Sequence, residues 1–285
     1  MEIKASQVKE LRDMSGVAMM ECKRALVECE GDLEKALDLL RSNSSLKAEK
    51  KSSRVAADGV IRIVSSDSYA TIIEINSETD FAAKDPGFIA FADDVVNYVS
   101  NNKVDDISMF ASTEIEEKRL ALIQKIGENI QLRRMETIEF DNSMSVGSYM
   151  HSDGKLATLV VTSNSDDNLA KDVAMHVAAS NPLCKTPDDI DSEVLEREKA
   201  IFEVQAKESG KDDAIMSKMV EGKVRKFLAE VSLTSQAFIK DPDMTVGKLL
   251  SDNGADVTGY VRFKVGEGIE VETKSFADEV ADQLK

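Results

Sequence analysis

"GVIRIVSSDSYATIIEINSETDFAAKDPGFIAFADDVVNYV", residues 59–99, decides the fold. A first strand runs to the polar turn "SSDS", and Tyr69 to Ile75, "YATIIEI", then reads as a buried β-branched strand. An acidic turn, "NSETDFAAKDPGF" (76–88), follows, and "FIAFADDVVNYVS" has the apolar spacing of a helix. The same order recurs in "SVGSYMHSDGKLATLVVTSNSDDNLAKDVAMHVAAS", residues 145–180, with "HSDG" as the turn and a helix over Asn168–Ala179. Two ββα copies predict a duplicated α+β core. A last strand pattern, "VTGYVRFKVG" (257–266), and a helix from Ser275 complete the second half.

The copies differ at the acidic turn, where the second has only "SNSDDN". A fold that needed an aromatic there would carry one in both copies, so Phe81 reads as an addition to the scaffold. Several readings of it compete. In one, Phe81 is a hydrophobic staple on its own helix, with Thr79 and Asp80 as N-cap residues, Asp85 capping the next helix and Pro86 at its first position. In another, it is an exposed anchor that enters a pocket on a partner. A third makes Glu78, Asp80 and Asp85 a Mg²⁺ or Ca²⁺ site, although the spacing lacks the central Gly and twelfth-position Glu of an EF-hand loop.

Outward from the repeat, residues 1–43 read as three short helices. Ser6 caps the first, Val8, Leu11 and Met14 form its apolar face, and Gly16 ends it; Asp32 caps the third. Met19 and Met20 either pack the second helix or give an adaptable binding surface. Residues 44–54, rich in Ser and Lys, read as an exposed linker. Its Lys47, Lys50, Lys51 and Arg54 are either solvated charge or a contact for RNA or an acidic partner. Residues 55–140 and 141–285 then form the two halves of the core. Within the second, about residues 187–231 form an insertion in which two helical runs flank "ESGKDD". Apolar spacings of three, four and seven make it an antiparallel, coiled-coil-like hairpin with arms of ~25 Å.

The chain has 285 residues, 42% hydrophobic and 31% charged, a globular composition with room for two or three domains. A net charge of −17 argues against strong direct binding of nucleic acid and for a protein partner with a basic surface. Three cysteines make no disulfide framework, and no apolar run approaches membrane-spanning length, so a cytoplasmic protein without a membrane partner is expected. The only histidines, His151 in a hairpin turn and His176 on the apolar side of a helix, lie far apart. There is no Walker loop, CxxC pair or nucleophile elbow. These features favour a protein that works by binding, with no catalytic residue, metal or cofactor of its own.

"VKELRDMSGVAMMECKRAL", "AADGVI", "TDFAAKD", "IGENI", "MHVAAS" and "TGYVRFKVGEGIE", in this order, resemble bacterial elongation factor Ts nearly end to end. The resemblance implies a UBA-like N-terminal three-helix domain before the duplicated core and the hairpin. It implies guanine-nucleotide exchange on elongation factor Tu, in its GDP-bound and nucleotide-free forms, with a possible dimer of heterodimers. Thr79, Asp80, Phe81 and Ala82 match the motif that enters the GTPase domain, disturbs its Mg²⁺ and phosphate site and releases GDP. Further contacts carried over by the resemblance are Val8, Met19, Met20, Ile126, Gly127 and His151. Ala82 stands where the family usually has Val, Ala157 where it usually has Gly, and Ala237 where Pro is common.

Overall fold

The structure is a computed structural model and describes residues 3–164 and 166–270. It is α+β and divides into two compact units. One comprises residues up to Val64, Ile73–Glu136 and the chain from Lys264; the other comprises Ser65–Ile72 and Thr137–Phe263.

In the first unit, α1 (Ala5–Ser15), α2 (Met19–Glu28) and α3 (Leu33–Lys51) enclose Val8, Leu11, Cys22, Leu26 and Leu40. Asp32 caps α3 by accepting from the Lys35 amide at 3.1 Å, and Gly16 ends α1. Ser6, expected to cap α1, lies inside it; the N-cap is Lys4, whose amide is taken by the Gln7 side chain at 3.1 Å. The linker expected at 44–54 is helical as far as Lys51. Ser44 and Ala48, four residues apart, are buried, and Ala48 joins the cluster around Phe88 and Ile123. Two small residues make the packed side here, and the polar residues around them gave the stretch its linker-like composition.

β1 (Asp58–Ser65), β2 (Tyr69–Ser77) and β3 (Gln131–Glu139) form a sheet in the order β1-β2-β3. Between β2 and β3 the chain makes α4 (Asp80–Ala83), α5 (Pro86–Asn102) and α6 (Glu114–Ile126). Phe88, Phe91, Val95 and Val99 of α5 share a core with Ile73 and Ile75 of β2. Glu74, between those two isoleucines, must face the other side of the pleat. It is fully buried there and accepts from Arg133 Nη1 at 2.8 Å, Arg134 Nε at 2.5 Å and the Gly266 amide at 2.8 Å. Burial alone would raise its pKa, but these donors outweigh that cost and hold the carboxyl below its usual range. Gly266 fits because it adopts φ +73° and a Cβ would lie 2.2 Å from the Ala57 carbonyl oxygen.

In the second unit, β4 (Met144–Met150) pairs antiparallel with β5 (Leu156–Ser163), Gly147 opposite Val160 and Tyr149 opposite Thr158. α7 (Asp167–Ser180) follows, completing the second ββα copy. α8 (Ser192–Glu208) and α9 (Asp213–Val231) are the two helical runs read around "ESGKDD", and the Phe202 and Phe227 rings meet between them at 6.3 Å. The chain closes through β6 (Ala237–Phe238), β7 (Asp241–Thr245), α10 (Val246–Asp252) and β8 (Asp256–Lys264). This sheet runs β4-β5-β8, so both sheets place the second strand of their copy at the centre. Val160, Val173, Val177, Leu233, Phe238 and Val257 form the core. His176 is buried in this unit: Nε2 meets Gln236 Oε1 at 2.9 Å and Nδ1 accepts from the Ile239 amide at 3.3 Å. Its place on the apolar side of α7 thus makes it a satisfied core histidine, and burial pushes its pKa down. The helix expected from Ser275 lies outside the described residues. Among those described, no helix is long and apolar enough to cross a membrane.

Candidate partner-binding site

β2 ends at Ser77, and the chain does not enter α5 directly. Thr79, in extended conformation, caps the single turn of α4, its Oγ1 accepting from the Ala82 amide at 3.2 Å. Asp85 caps α5 in turn, accepting from the Gly87 amide at 2.7 Å, with Pro86 at the first helical position. Ala82 and Ala83 are buried and seat the turn on the core. Phe81 points away from it and is 81% exposed, more than any other large apolar side chain among the described residues.

That exposure removes the staple reading, in which the ring would be packed on its own helix. It also singles Phe81 out physically, because scattered exposed leucines and valines are ordinary whereas a phenylalanine held out on a capped turn exposes a large apolar area to water. The carboxylates beside it have nitrogen partners. Glu78 accepts from the Asn129 amide at 2.6 Å and meets Arg54 at 3.4 Å; Asp80 meets Lys84 Nζ at 2.6 Å, which raises the lysine pKa. Among the described residues, no group of three His, Cys, Asp or Glu side chains is arranged to hold a metal ion.

A second turn lies against the first. Gly127 ends α6 at φ +91°, a conformation that glycine adopts without strain, and the chain reverses there. Ile126 is half-buried against the core of α5. Glu128, which the sequence reading did not single out, reaches Thr79: its Oε2 accepts from the Thr79 amide at 3.0 Å and its Oε1 from Thr79 Oγ1 at 2.7 Å. Asn129 is buried and donates from Nδ2 to the Arg54 carbonyl at 2.8 Å. The structure therefore joins Thr79, Asp80, Phe81 and Ala82 to the turn of Ile126 and Gly127.

The other expected contacts fall elsewhere. Met19 and Met20 are exposed on α2, 50% and 62%, so they do not pack the three-helix core. Val8, expected at a partner surface, is buried in that core beside Leu11 and Leu26, where its side chain offers little area. His151, in the second unit, is exposed in the β4–β5 turn, with Nδ1 3.0 Å from Asp153 Oδ1.

The family model described as "Elongation factor TS" matches residues 78–267. The protein named elongation factor Ts from Hahella chejuensis is 51% identical over 99% of this chain and 99% of its own length. The elongation factor Ts of Saccharophagus degradans is 49% identical over 100% of this chain and 98% of its own. These matches put the chain in the class of translation elongation factors. It belongs to the elongation factor Ts family.

Proposed function

We propose that the protein is a cytoplasmic guanine-nucleotide exchange factor for elongation factor Tu, and that Asp80 and Phe81 are the part it inserts into that GTPase. The observation that carries this reading is the 81% exposure of Phe81 on a turn anchored at Thr79 and Asp85. An aromatic held outside its own core is an anchor waiting for a pocket. Asp80 goes in with it, its surface ion pair to Lys84 being cheap to open. The intrusion disturbs the partner's Mg²⁺ and phosphate site, and GDP leaves. Such a factor makes and breaks no covalent bond, so it needs no nucleophile, acid or metal of its own.

Linkage sets the terms of the reaction. Whatever this chain does to weaken GDP on the partner, GDP does equally to weaken this chain's grip. A GTPase holding GDP at nanomolar affinity has about 12 kcal/mol of binding to undermine. One aromatic anchor supplies about 2–4 kcal/mol. Further contacts are therefore required, and Met19, Met20, Ile126, Gly127 and His151 are proposed for them. α1–α3 act as a UBA-like docking domain and α8–α9 as a coiled-coil hairpin in the same interface.

Stopped-flow release of fluorescent GDP from elongation factor Tu tests the proposal. Wild type accelerates release, and Phe81→Ala is weaker by about ten-fold or more, the loss of an anchor of about 2–4 kcal/mol. No acceleration by wild type overturns the function; equal acceleration by both proteins overturns the role of Phe81.

A further inference from the structure

We propose that Glu128 is a positioning residue for Phe81, and that with Glu78 it forms a reciprocal clasp presetting the turn before a partner arrives. The inference rests on the reading of Phe81 as the inserted anchor. A helix of a single turn, such as α4, cannot hold itself, because nucleating a turn fixes several dihedrals in return for one hydrogen bond. Its order must come from neighbours. Glu128 supplies it at the N-terminal side by using both carboxylate oxygens on one residue, one for the Thr79 amide and one for its hydroxyl. With its proton donated to Glu128, the Thr79 hydroxyl oxygen is turned to accept from the Ala82 amide, the residue after Phe81. The bond is returned in the other direction, since Glu78 accepts the Asn129 amide at 2.6 Å. Each turn's carboxylate thus binds a main-chain donor of the other turn, and the Asn129 side chain ties the pair to the Arg54 carbonyl.

The geometry suits a carboxylate at 128. Both Thr79 groups are donors, and each is met by its own oxygen of Glu128, which a carboxylate supplies without sharing one acceptor atom between them. Glutamine offers one oxygen and would turn its NH₂ toward a donor. Loss of the clasp frees Phe81 to sample orientations that do not fit the partner, and apparent affinity falls with the fraction that still fits.

The test uses full-length Glu128→Gln. In GDP release from elongation factor Tu, the half-saturating concentration rises about five-fold, as when the competent fraction falls to about a fifth, and the saturated rate is retained. In the Phe81→Ala background the same substitution adds nothing. The chain has no tryptophan, so Phe81→Trp gives a unique fluorophore at the turn. Time-resolved anisotropy of that indole, without any partner, shows added nanosecond mobility when Glu128→Gln is introduced. Unchanged exchange in Glu128→Gln when Phe81→Ala is impaired overturns the clasp, as does an equal further loss in the Phe81→Ala background. If Phe81→Ala itself exchanges normally, the functional reading of Phe81 fails instead. The anisotropy then judges the clasp alone, with unchanged mobility overturning it and added mobility upholding it.

Discussion

The two strand-to-helix joints of the repeat are built on one plan and finished differently. In both, a buried strand leads to a helix capped by an aspartate, Asp85 for α5 and Asp166 for α7. In the second copy only residues 164–166 separate β5 from α7. In the first, residues 78–85 intervene, and they carry α4 and the exposed Phe81. The shorter joint shows that the plan closes without an aromatic. The longer one places its extra residues where the core does not need them, so this joint is free to serve a partner.

Two phenylalanines seven positions apart give the sharpest way to break that comparison. Phe88 is fully buried in the core of α5, while Phe81 is exposed. Phe88→Ala should destabilise the protein by about 3–5 kcal/mol in denaturant unfolding. Phe81→Ala should change stability by less than about 0.5 kcal/mol. Comparable losses in the two variants would mean that Phe81 belongs to the core after all.

Glu74 comes next in size. Glu74→Gln removes one partner of a buried charge cluster and should cost about 3 kcal/mol, read from the urea midpoint. The second copy has Val160, fully buried, near the middle of its own central strand, β5, so the ionic anchor distinguishes one sheet from the other.

Acid should then separate the two units. His176 has its pKa lowered by burial, only partly countered by the bond to Gln236, so the folded protein binds its proton less readily than the unfolded chain. Stability therefore rises with pH across this range and falls as pH drops below about 6.5, by at most about 1.4 kcal/mol per pH unit. Glu74 has its pKa lowered as well, so its contribution is present above the ordinary carboxylate range and is lost only as pH falls through and below it. Hydrogen exchange from pH 7.5 to 5.5 should show α7 losing protection before β2, and His176→Gln should abolish that early loss. The smallest effect belongs to Lys84→Ala. Its exposed pair with Asp80 should leave the melting transition unchanged within error.

The sequence made most of this comparison legible, because both copies keep a buried β-branched strand, polar turns and Asp caps within a few residues of one another. The missing aromatic in "SNSDDN" marked Phe81 before any coordinates did. What stayed hidden is held by partners distant in sequence. Glu74 sits in an apolar run, and its donors Arg133, Arg134 and Gly266 come from much later in the chain. Glu128 was passed over for the same reason, since nothing near it in sequence names Thr79 as its partner. The α3 extension was missed because its packed side consists of Ser44 and Ala48, too small to give an apolar stripe. Val8 is the opposite case: its spacing put it on the apolar face of α1, and it lies in the three-helix core, while its role as a partner contact came only from the resemblance.

The central claim is that the turn around Phe81 is spare to the fold and necessary to the function. The most direct test measures one variant twice, following Phe81→Ala by thermal melting and by catalysed GDP release from elongation factor Tu. The account predicts a melting curve superimposable on wild type and exchange weaker by about ten-fold or more. Full exchange in the variant, or a loss of exchange matched by a loss of stability, would contradict it.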